Sequence, residues 1–183
     1  AIAEQAVRMG AKVILVSAPT SLPIPSGVDF ISVDSAVSMQ EAVEARYNDV
    51  NVVIMAAAVS DFRVLHKAEQ KIKKMESMTI ELVKNPDILQ GLGSKKSHQI
   101  LVGFAAETEH VIKYGQDKVA RKNLDMLVAN DVSKSNAGFN VDTNEGYFLY
   151  PDKEPKEMPN MKKSDLARHI LREVIDLVAN KHS

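Results

Sequence analysis

The sequence predicts an α/β fold built on a doubly wound, mostly parallel sheet. Short, almost wholly apolar segments recur along the chain, and segments with one apolar face at helical spacing separate them. The most apolar segments are KVILVS (12–17), NVVIMAAAV (51–59) and QILVGFAAE (99–107). Because strands of a parallel sheet are buried on both faces, such runs favour a parallel sheet with helices on both sides.

The other elements follow from periodicity and turn chemistry. Apolar spacing and Gly10 predict a first helix over 1–9, and three prolines in 18–27 predict a loop. Further strands are predicted at 29–33, 125–131 and 146–150, with an alternating strand at 78–83 outside the main sheet. Further helices are predicted at 35–47, 85–93, 109–123 and 161–181. In the helix at 85–93, Asn85 is the predicted N-cap, Pro86 the first helical residue and Asp87 part of the first turn.

Length, net charge and cysteine content exclude several classes of protein. A chain of 183 residues suits one domain. A net charge of −1 gives no indication of nucleic acid or an anionic membrane as a partner. The sequence contains no cysteine, which excludes a disulfide framework and a cysteine nucleophile and fits a cytoplasmic protein. The first helix lacks an N-cap residue, so we expect a segment before it in a longer chain.

Chemistry is expected where the parallel strands end, since ligands of open α/β sheets bind at the carboxyl ends of strands. Three stretches fall there: 56–63, 104–108 and 130–133. The NPD turn at 85–87 could hold an anion on free helix N–H groups. Each feature also has an ordinary structural explanation, namely close packing of small residues, a routine helix start, a cap or a solvated lysine cluster.

Taken together and in order, these stretches resemble the phosphopantothenoylcysteine synthetase family, also called phosphopantothenate–cysteine ligase. The resemblance covers residues 56–145. It is carried by AAAVSDFR, KIKK, LVKNPDIL, VGFAAET, KNLDMLVAND and GFNVDTNE. It implies a single Rossmann-like domain over 1–183, flanked by helices, with a flap and dimerisation extension at 64–84.

The resemblance also implies the reaction. The family makes an amide in coenzyme A biosynthesis: phosphopantothenate and CTP give an acyl-cytidylate and pyrophosphate, and cysteine then displaces CMP. The bacterial type is CTP-dependent and cytoplasmic. The resemblance further implies Mg²⁺ as a cofactor, a homodimer, and a flavin-dependent decarboxylase as a fused domain or partner. It implies neither nucleic acid nor a membrane as a partner.

The site residues are implied position by position. Lys71 matches the family's catalytic lysine, which also contacts the nucleotide, and Asp61 matches the nucleotide-site aspartate. An aspartate beside a triphosphate acts most sensibly through Mg²⁺. Ala57 and Ala58 match the substrate-binding stretch. The remaining implied nucleotide contacts are Pro86, Asp87, Ile88, Leu89, Phe104, Lys118 and Lys122.

Two departures from the family pattern accompany the resemblance. The family's first strand and its glycine-rich, asparagine-containing loop lie upstream of this sequence, so we expect the domain as given to lack them. The segment KKMESMTIELV is also a few residues shorter than the family pattern.

Two alternatives stay open from the sequence. One is a dinucleotide- or flavin-binding oxidoreductase on the same fold, although GLGSKKS follows a predicted helix rather than a strand. The other is a non-catalytic module used for assembly or nucleotide sensing, which would be expected to lose Asp61 or Lys71.

Overall fold

The fold is that of a computed structural model, which describes residues 1–74, 76–131 and 143–181. The motif GFNVDTNE and the stretch 130–133 lie partly outside these residues. The helices are α1 (Ile2–Arg8), α2 (Ala36–Glu44), α3 (Ile88–Ser94), α4 (Val111–Arg121) and α5 (Lys163–Lys181). The strands are β1 (Val13–Ser17), β2 (Val28–Ser32), β3 (Val52–Met55), β4 (Phe62–Val64), β5 (Leu82–Lys84), β6 (Ile100–Glu107), β7 (Met126–Asp131), β8 (Thr143–Leu149) and β9 (Lys156–Lys162).

The main sheet has five strands in the order β3-β6-β7-β8-β9. The pairs β3–β6 and β6–β7 are parallel, whereas β7–β8 and β8–β9 are antiparallel. The predicted α/β class is therefore confirmed, with an antiparallel addition at one edge. The sequence analysis did not predict β9, because an edge strand that contains a proline and four charged or amide side chains lacks an apolar run.

The core lies on both faces of this sheet, as the doubly wound prediction requires. Leu101 and Leu127 point to the face covered by α3 and α4, where they pack with Leu92 and Val119. Their neighbours in sequence point to the other face and pack against α5. This alternation follows from the two-residue period of a strand, and it explains why each strand is apolar on both sides.

The strands β1 and β3 are less buried than their sequences predicted. All five residues of β1 and all four of β3 are half-buried. The physical reason is that β1 pairs only with β2 and β3 only with β6, within the part of the chain that the structure describes. The unpaired edges of both strands line one cleft of about 840 Å³, whose wall includes Met39 and Val43 of α2.

A small antiparallel hairpin stands apart from the main sheet. It is formed by β4 and β5, with Val64 opposite Leu82. The prediction of a strand outside the main sheet is right in kind but misplaced, since the strand begins at Leu82 rather than at residue 78. The strand predicted over 51–59 is also shorter, because regular pairing ends at Met55 and small residues continue as a loop.

The start of α3 corrects the predicted cap. Asp87 is the N-cap, and its Oδ1 accepts a hydrogen bond of 3.0 Å from the Gln90 backbone N–H. Asn85 instead lies two residues upstream with its side chain buried and engaged elsewhere. Within the described residues, none of the helices is long and apolar enough to cross a bilayer.

Gly93 of α3 lies directly against the end of α4. A Cβ at this position would lie 2.0 Å from the backbone oxygen of Lys122, whereas a Cβ at Gly91 would meet no atom within 4 Å. We expect Gly93→Ala to lower the free energy of unfolding by about 1–3 kcal/mol, because the two helices must separate. Gly91→Ala, the matched control in the same helix, should raise it by about 0.5–1 kcal/mol. Urea denaturation of both variants measures this, and equal effects would contradict the packing.

Candidate active site

Several of the predicted site residues lie at or near the carboxyl edge of the parallel strands. β3, β6 and β7 run in the same direction, and their register places Met55 beside Gly103 and Glu107 beside Asp131. The loop 56–60 follows β3 at this edge, and α4 begins here and runs back along the sheet toward the start of β7. Asp87, Lys118 and Lys122 are linked to other elements by ion pairs, whereas the remaining predicted site residues lie in the separate environments described below.

The loop after β3 is held in place by Asn85. Its Nδ2 donates to the Ser60 carbonyl oxygen at 2.8 Å, and its backbone N–H donates to the Asp61 carbonyl oxygen at 2.7 Å. Arg63 donates to the Asn85 Oδ1 at 3.2 Å and to the Lys84 carbonyl oxygen at 3.0 Å. Asn85 is only 9% exposed. A buried amide that bonds to Ser60, in the loop before β4, and to Arg63 of β4 helps to fix the main chain at Asp61.

Asp61 itself presents a solvent-exposed carboxylate. In the described part of the chain, its carboxylate makes no ion pair, and there is no cluster of three or more acidic or histidine side chains suited to a metal ion. One free carboxylate at a ligand-binding edge fits Mg²⁺, which commonly takes one or two carboxylates and completes its shell with phosphate oxygens and water. Ala57 and Ala58 precede it, are exposed, and line the cleft between β1 and β3.

Asp87 has two roles at the start of α3. Besides capping the helix, its carboxylate contacts the Lys122 ammonium, with Oδ2 at 2.9 Å from Nζ. Partial burial raises the pKa of the Asp87 carboxyl, but the bonds from Lys122 and the Gln90 N–H outweigh burial and bring the pKa below its ordinary value. The predicted nucleotide contact at Asp87 would therefore act through Lys122, because a carboxylate alone repels phosphate.

Lys118 and Lys122 of the α4 segment each reach a carboxylate of another element. Lys122 reaches Asp87, and Lys118 donates to Oε1 of Glu107, the last residue of β6. Solvated lysines at this spacing are the usual case, yet here each ammonium is held by a carboxylate from another element. Two fixed cations four residues apart can contact one phosphate chain.

The other predicted contacts lie in different environments. The side chains of Ile88 and Leu89 are buried in the core below α3, so the main chain is their route to a ligand. Pro86 is half-buried at the same turn. Phe104 is half-buried and packs on the opposite face of the sheet, with the cluster beneath α5. Lys71 lies in the exposed segment between β4 and β5, and makes no ion pair among the described residues.

Two residues of the site were not predicted. Glu107 lies in the VGFAAET motif, which predicts no role for it, and its spacing of eleven residues from Lys118 spans a strand end, a turn and a helix. The sequence predicts Asn85 as a helix cap, because an asparagine before Pro-Asp is typical of one. No signal in one sequence separates an asparagine that caps a helix from one that anchors a loop.

Comparisons with known proteins decide the family. A model described as the DNA/pantothenate metabolism flavoprotein C-terminal domain matches residues 1–178. The chain belongs to this family. The coenzyme A biosynthesis bifunctional protein CoaBC of Bacillus subtilis (strain 168) is 48% identical over 179 residues, which is 97% of this chain and 44% of that protein. CoaBC of Escherichia coli (strain K12) is 43% identical over 180 residues, which is 96% of this chain and 44% of that protein.

A solved structure agrees with this assignment. The crystal structure of the C-terminal domain of CoaBC matches with a TM-score of 0.83 and 40% sequence identity, covering 98% of this chain and 81% of that one. The family resemblance predicted from the motifs is thus confirmed, as is the α/β fold. The chain spans less than half the length of the two CoaBC proteins, 44% of each.

The pairing of Asp87 with Lys122 can be tested through its pH dependence. Asp87→Ala should lower the free energy of unfolding by about 1–2 kcal/mol through loss of the cap, whereas Asp87→Asn keeps the cap and should lose only about 0.5 kcal/mol. Because the pKa of the folded carboxyl lies below the unfolded value of about 3.9, this charge contribution is present above that pH and is lost as the pH falls through the folded pKa.

Urea denaturation between pH 7 and pH 2 provides the measurement. The difference in free energy of unfolding between the wild type and Asp87→Asn should be constant near neutrality. It should fall toward zero at the acid end. A difference that stays unchanged at pH 2 would show that the ion pair is not its source.

Proposed function

We propose that this domain is the phosphopantothenate–cysteine ligase of coenzyme A biosynthesis, joining 4′-phosphopantothenate to cysteine with CTP. The observation that carries the proposal is the pair of α4-segment lysines, Lys118 and Lys122, each held by a carboxylate of another element, together with an exposed Asp61 in the loop that follows β3. A site with fixed ammonium groups and a free carboxylate for a cation suits a nucleoside triphosphate. Membership of the CoaBC family supports the same reaction.

The reaction proceeds in two displacements. A carboxylate oxygen of phosphopantothenate attacks the α-phosphorus of CTP; the bond to the pyrophosphate oxygen breaks, and an acyl-cytidylate forms. The cysteine amine then attacks the acyl carbon, loses a proton, and CMP departs. A carboxylate is a poor acyl donor, so the mixed anhydride supplies the leaving group that amide formation needs.

We assign the lysines different parts of this work according to the segment that carries each of them. Lys118 and Lys122 are attached to a helix and held by carboxylates, so they are suited to binding and orienting the phosphates. Lys71 lies in an exposed segment, from which its ammonium can follow the charge that develops on phosphoryl and acyl oxygens. Bound Mg²⁺ would neutralise phosphate charge, with Asp61 as the side chain that holds it.

CTP is the proposed co-substrate because the motifs resemble the bacterial, CTP-dependent type and the two CoaBC relatives are bacterial. We also propose a flavin-dependent decarboxylase as a fused domain or partner, since both relatives are named bifunctional. A cytoplasmic location fits the absence of cysteine and the metabolite substrates. The oxidoreductase alternative is not favoured, since Gly91 and Gly93 of GLGSKKS lie inside α3 and form no phosphate-binding loop.

The cleft between β1 and β3 has room for a further strand next to the candidate site. The connection from α1 to β1 is short, so α1 begins at the carboxyl edge, where a strand parallel to β1 would end. A strand in the cleft followed by α1 and β1 would form a right-handed βαβ unit and use both unpaired edges. We propose that such a strand fills the cleft and that the loop after it contributes to substrate binding beside Ala57 and Ala58.

The ligase proposal predicts pyrophosphate release from CTP that requires Mg²⁺ and phosphopantothenate, with phosphopantothenoylcysteine formed when cysteine is added. The assay should use ATP and GTP as controls. It should be run on this chain and on a form extended at its N-terminus by the corresponding CoaBC segment. Release in the extended form alone would support the cleft proposal, and release in neither form would contradict the ligase.

Within that assay, Lys71→Gln should slow product formation by at least about 100-fold while CTP binding stays detectable, as expected for a group that acts on the transition state. Lys74→Gln, an equally exposed lysine of the same segment, is the matched control. Unchanged turnover in Lys71→Gln would remove this lysine from the mechanism.

We further propose that the hairpin of β4 and β5 mediates a homodimer. Large apolar side chains are exposed along it and the segment between its strands: Phe62, Val64, Leu65, Ile72, Met78, Ile80 and Leu82. A two-stranded hairpin has little stability alone, and contiguous exposed apolar surface marks an interaction site. A second copy is the occupant we favour, because a two-fold axis lets one apolar hairpin cover its twin.

This interface predicts that Leu82→Lys shifts the protein from dimer to monomer by placing a charge in an apolar contact. Sedimentation velocity at micromolar concentration measures the shift. Ile175→Lys on α5 is the control, since Ile175 is as exposed as Leu82 but lies away from the hairpin. A dimer that survives Leu82→Lys, or dissociates equally in both variants, would count against the hairpin interface.

A further inference from the structure

We infer that Glu107 is a positioning residue for the nucleotide: it holds the Lys118 ammonium at the carboxyl edge, ready for the phosphates. This inference rests on the proposed function, which brings a triphosphate to that edge. It starts from the contact between Lys118 Nζ and Glu107 Oε1, which joins the end of β6 to the helix that follows it. No role for Glu107 follows from the motif in which it occurs.

The burial of the pair favours a role beyond a surface ion pair. The Glu107 side chain is 15% exposed and that of Lys118 is 35% exposed, so the carboxylate lies deeper and the ammonium nearer to solvent. A carboxylate below and a cation above present positive charge outward. In an ion pair between two well-exposed partners, such as Arg8 with Glu4, neither charge lies clearly deeper than the other.

The backbone on both sides of the pair is fixed. Glu107 ends a strand that pairs with β3 up to Gly103 and with β7 up to Glu107 itself, opposite Asp131. Lys118 lies in the third turn of α4, whose Val111, Gly115 and Val119 are buried against the sheet. The backbone positions of the pair are therefore set by a strand, a turn and a helix. The backbone of Lys71, by contrast, lies in an exposed segment outside regular structure.

The chemistry of the ammonium allows Glu107 to remain in place when a phosphate arrives. A lysine ammonium has three N–H donors, and Glu107 occupies one of them. The others are available for phosphate oxygens. A lysine already held in one geometry loses less side-chain freedom on binding, so the carboxylate improves affinity by preorganisation although its own charge opposes the phosphates.

Lys122 and Asp87 repeat this arrangement one helical turn later, at 2.9 Å between Nζ and Oδ2. By contrast, Lys113 of the same helix is exposed and makes no ion pair among the described residues. The two lysines that face the edge are thus the two that carboxylates hold. This selectivity is expected for positioned cations and not for lysines whose only role is to be solvated.

The test measures binding of Mg²⁺–CTP and of cytidine to four proteins by isothermal titration calorimetry: wild type, Glu107→Ala, Glu107→Gln and the matched control Glu109→Ala. Glu109 is exposed, two residues away, and makes no ion pair within the described part of the chain. We expect Glu107→Ala to weaken CTP binding about tenfold. Glu107→Gln, whose amide oxygen still accepts from Lys118, should lose less, and cytidine binding should not change in either.

A double-mutant cycle with Lys118→Ala separates positioning from a general structural effect. If Glu107 acts through Lys118, adding Glu107→Ala to Lys118→Ala should cause no further loss of CTP affinity. An undiminished additional loss, an equal loss of cytidine binding, or CTP affinity that is unchanged or tighter in Glu107→Ala would overturn the inference. If neither this chain nor its N-terminally extended form binds CTP, the proposed function fails first; if only the extended form binds, the four proteins are compared in that form.

Discussion

The candidate site depends on the close contact between α3 and the end of α4. Gly93 allows it, because any side chain there would collide with the Lys122 backbone oxygen. Asn123 then donates from Nδ2 to the Gly93 carbonyl oxygen at 2.9 Å, and the Leu92 carbonyl oxygen accepts from the Tyr47 hydroxyl at 3.0 Å. This contact sets the distance between the cap of α3 and the lysines of α4. The positive groups at the carboxyl edge are therefore placed by packing that lies below them.

The lysines assigned to the proposed reaction differ in the backbone that carries them. Helix α4 is packed on the sheet through an apolar face, so Lys118 extends from a fixed backbone position. Lys71 extends from the exposed segment between β4 and β5. The proposed reaction would use both, since the nucleotide would have to stay oriented while charge moves from a phosphoryl group to an acyl group.

The sequence predicts the parts of this molecule whose stability comes from apolar burial. Strands β6 and β7 follow from continuous apolar runs, and α5 follows from its helical spacing, because burial imposes those patterns directly. Edge strand β9 escapes prediction because it buries little besides Met158. The bonds of Asn85 to Ser60 and Asp61 join residues about 25 apart, and one sequence contains no signal for such a pairing. The lysine contacts became predictions only through the family motifs.

The strands β1 and β3 are less buried than their sequences predict, because each has one unpaired edge in the described part of the chain. The sequences of both strands are those of interior strands, with apolar residues suited to burial on two faces. Both strands are half-buried because a cleft separates β1 from β3. Ala57 and Ala58 also line this cleft. Backbone N–H and C=O groups on both walls favour an extended peptide as the occupant, because a strand offers matching donors and acceptors along the length of both edges. A strand seated there would join β1–β2 to the main sheet. The carboxyl edge would then be continuous from Ser17 to Asp131.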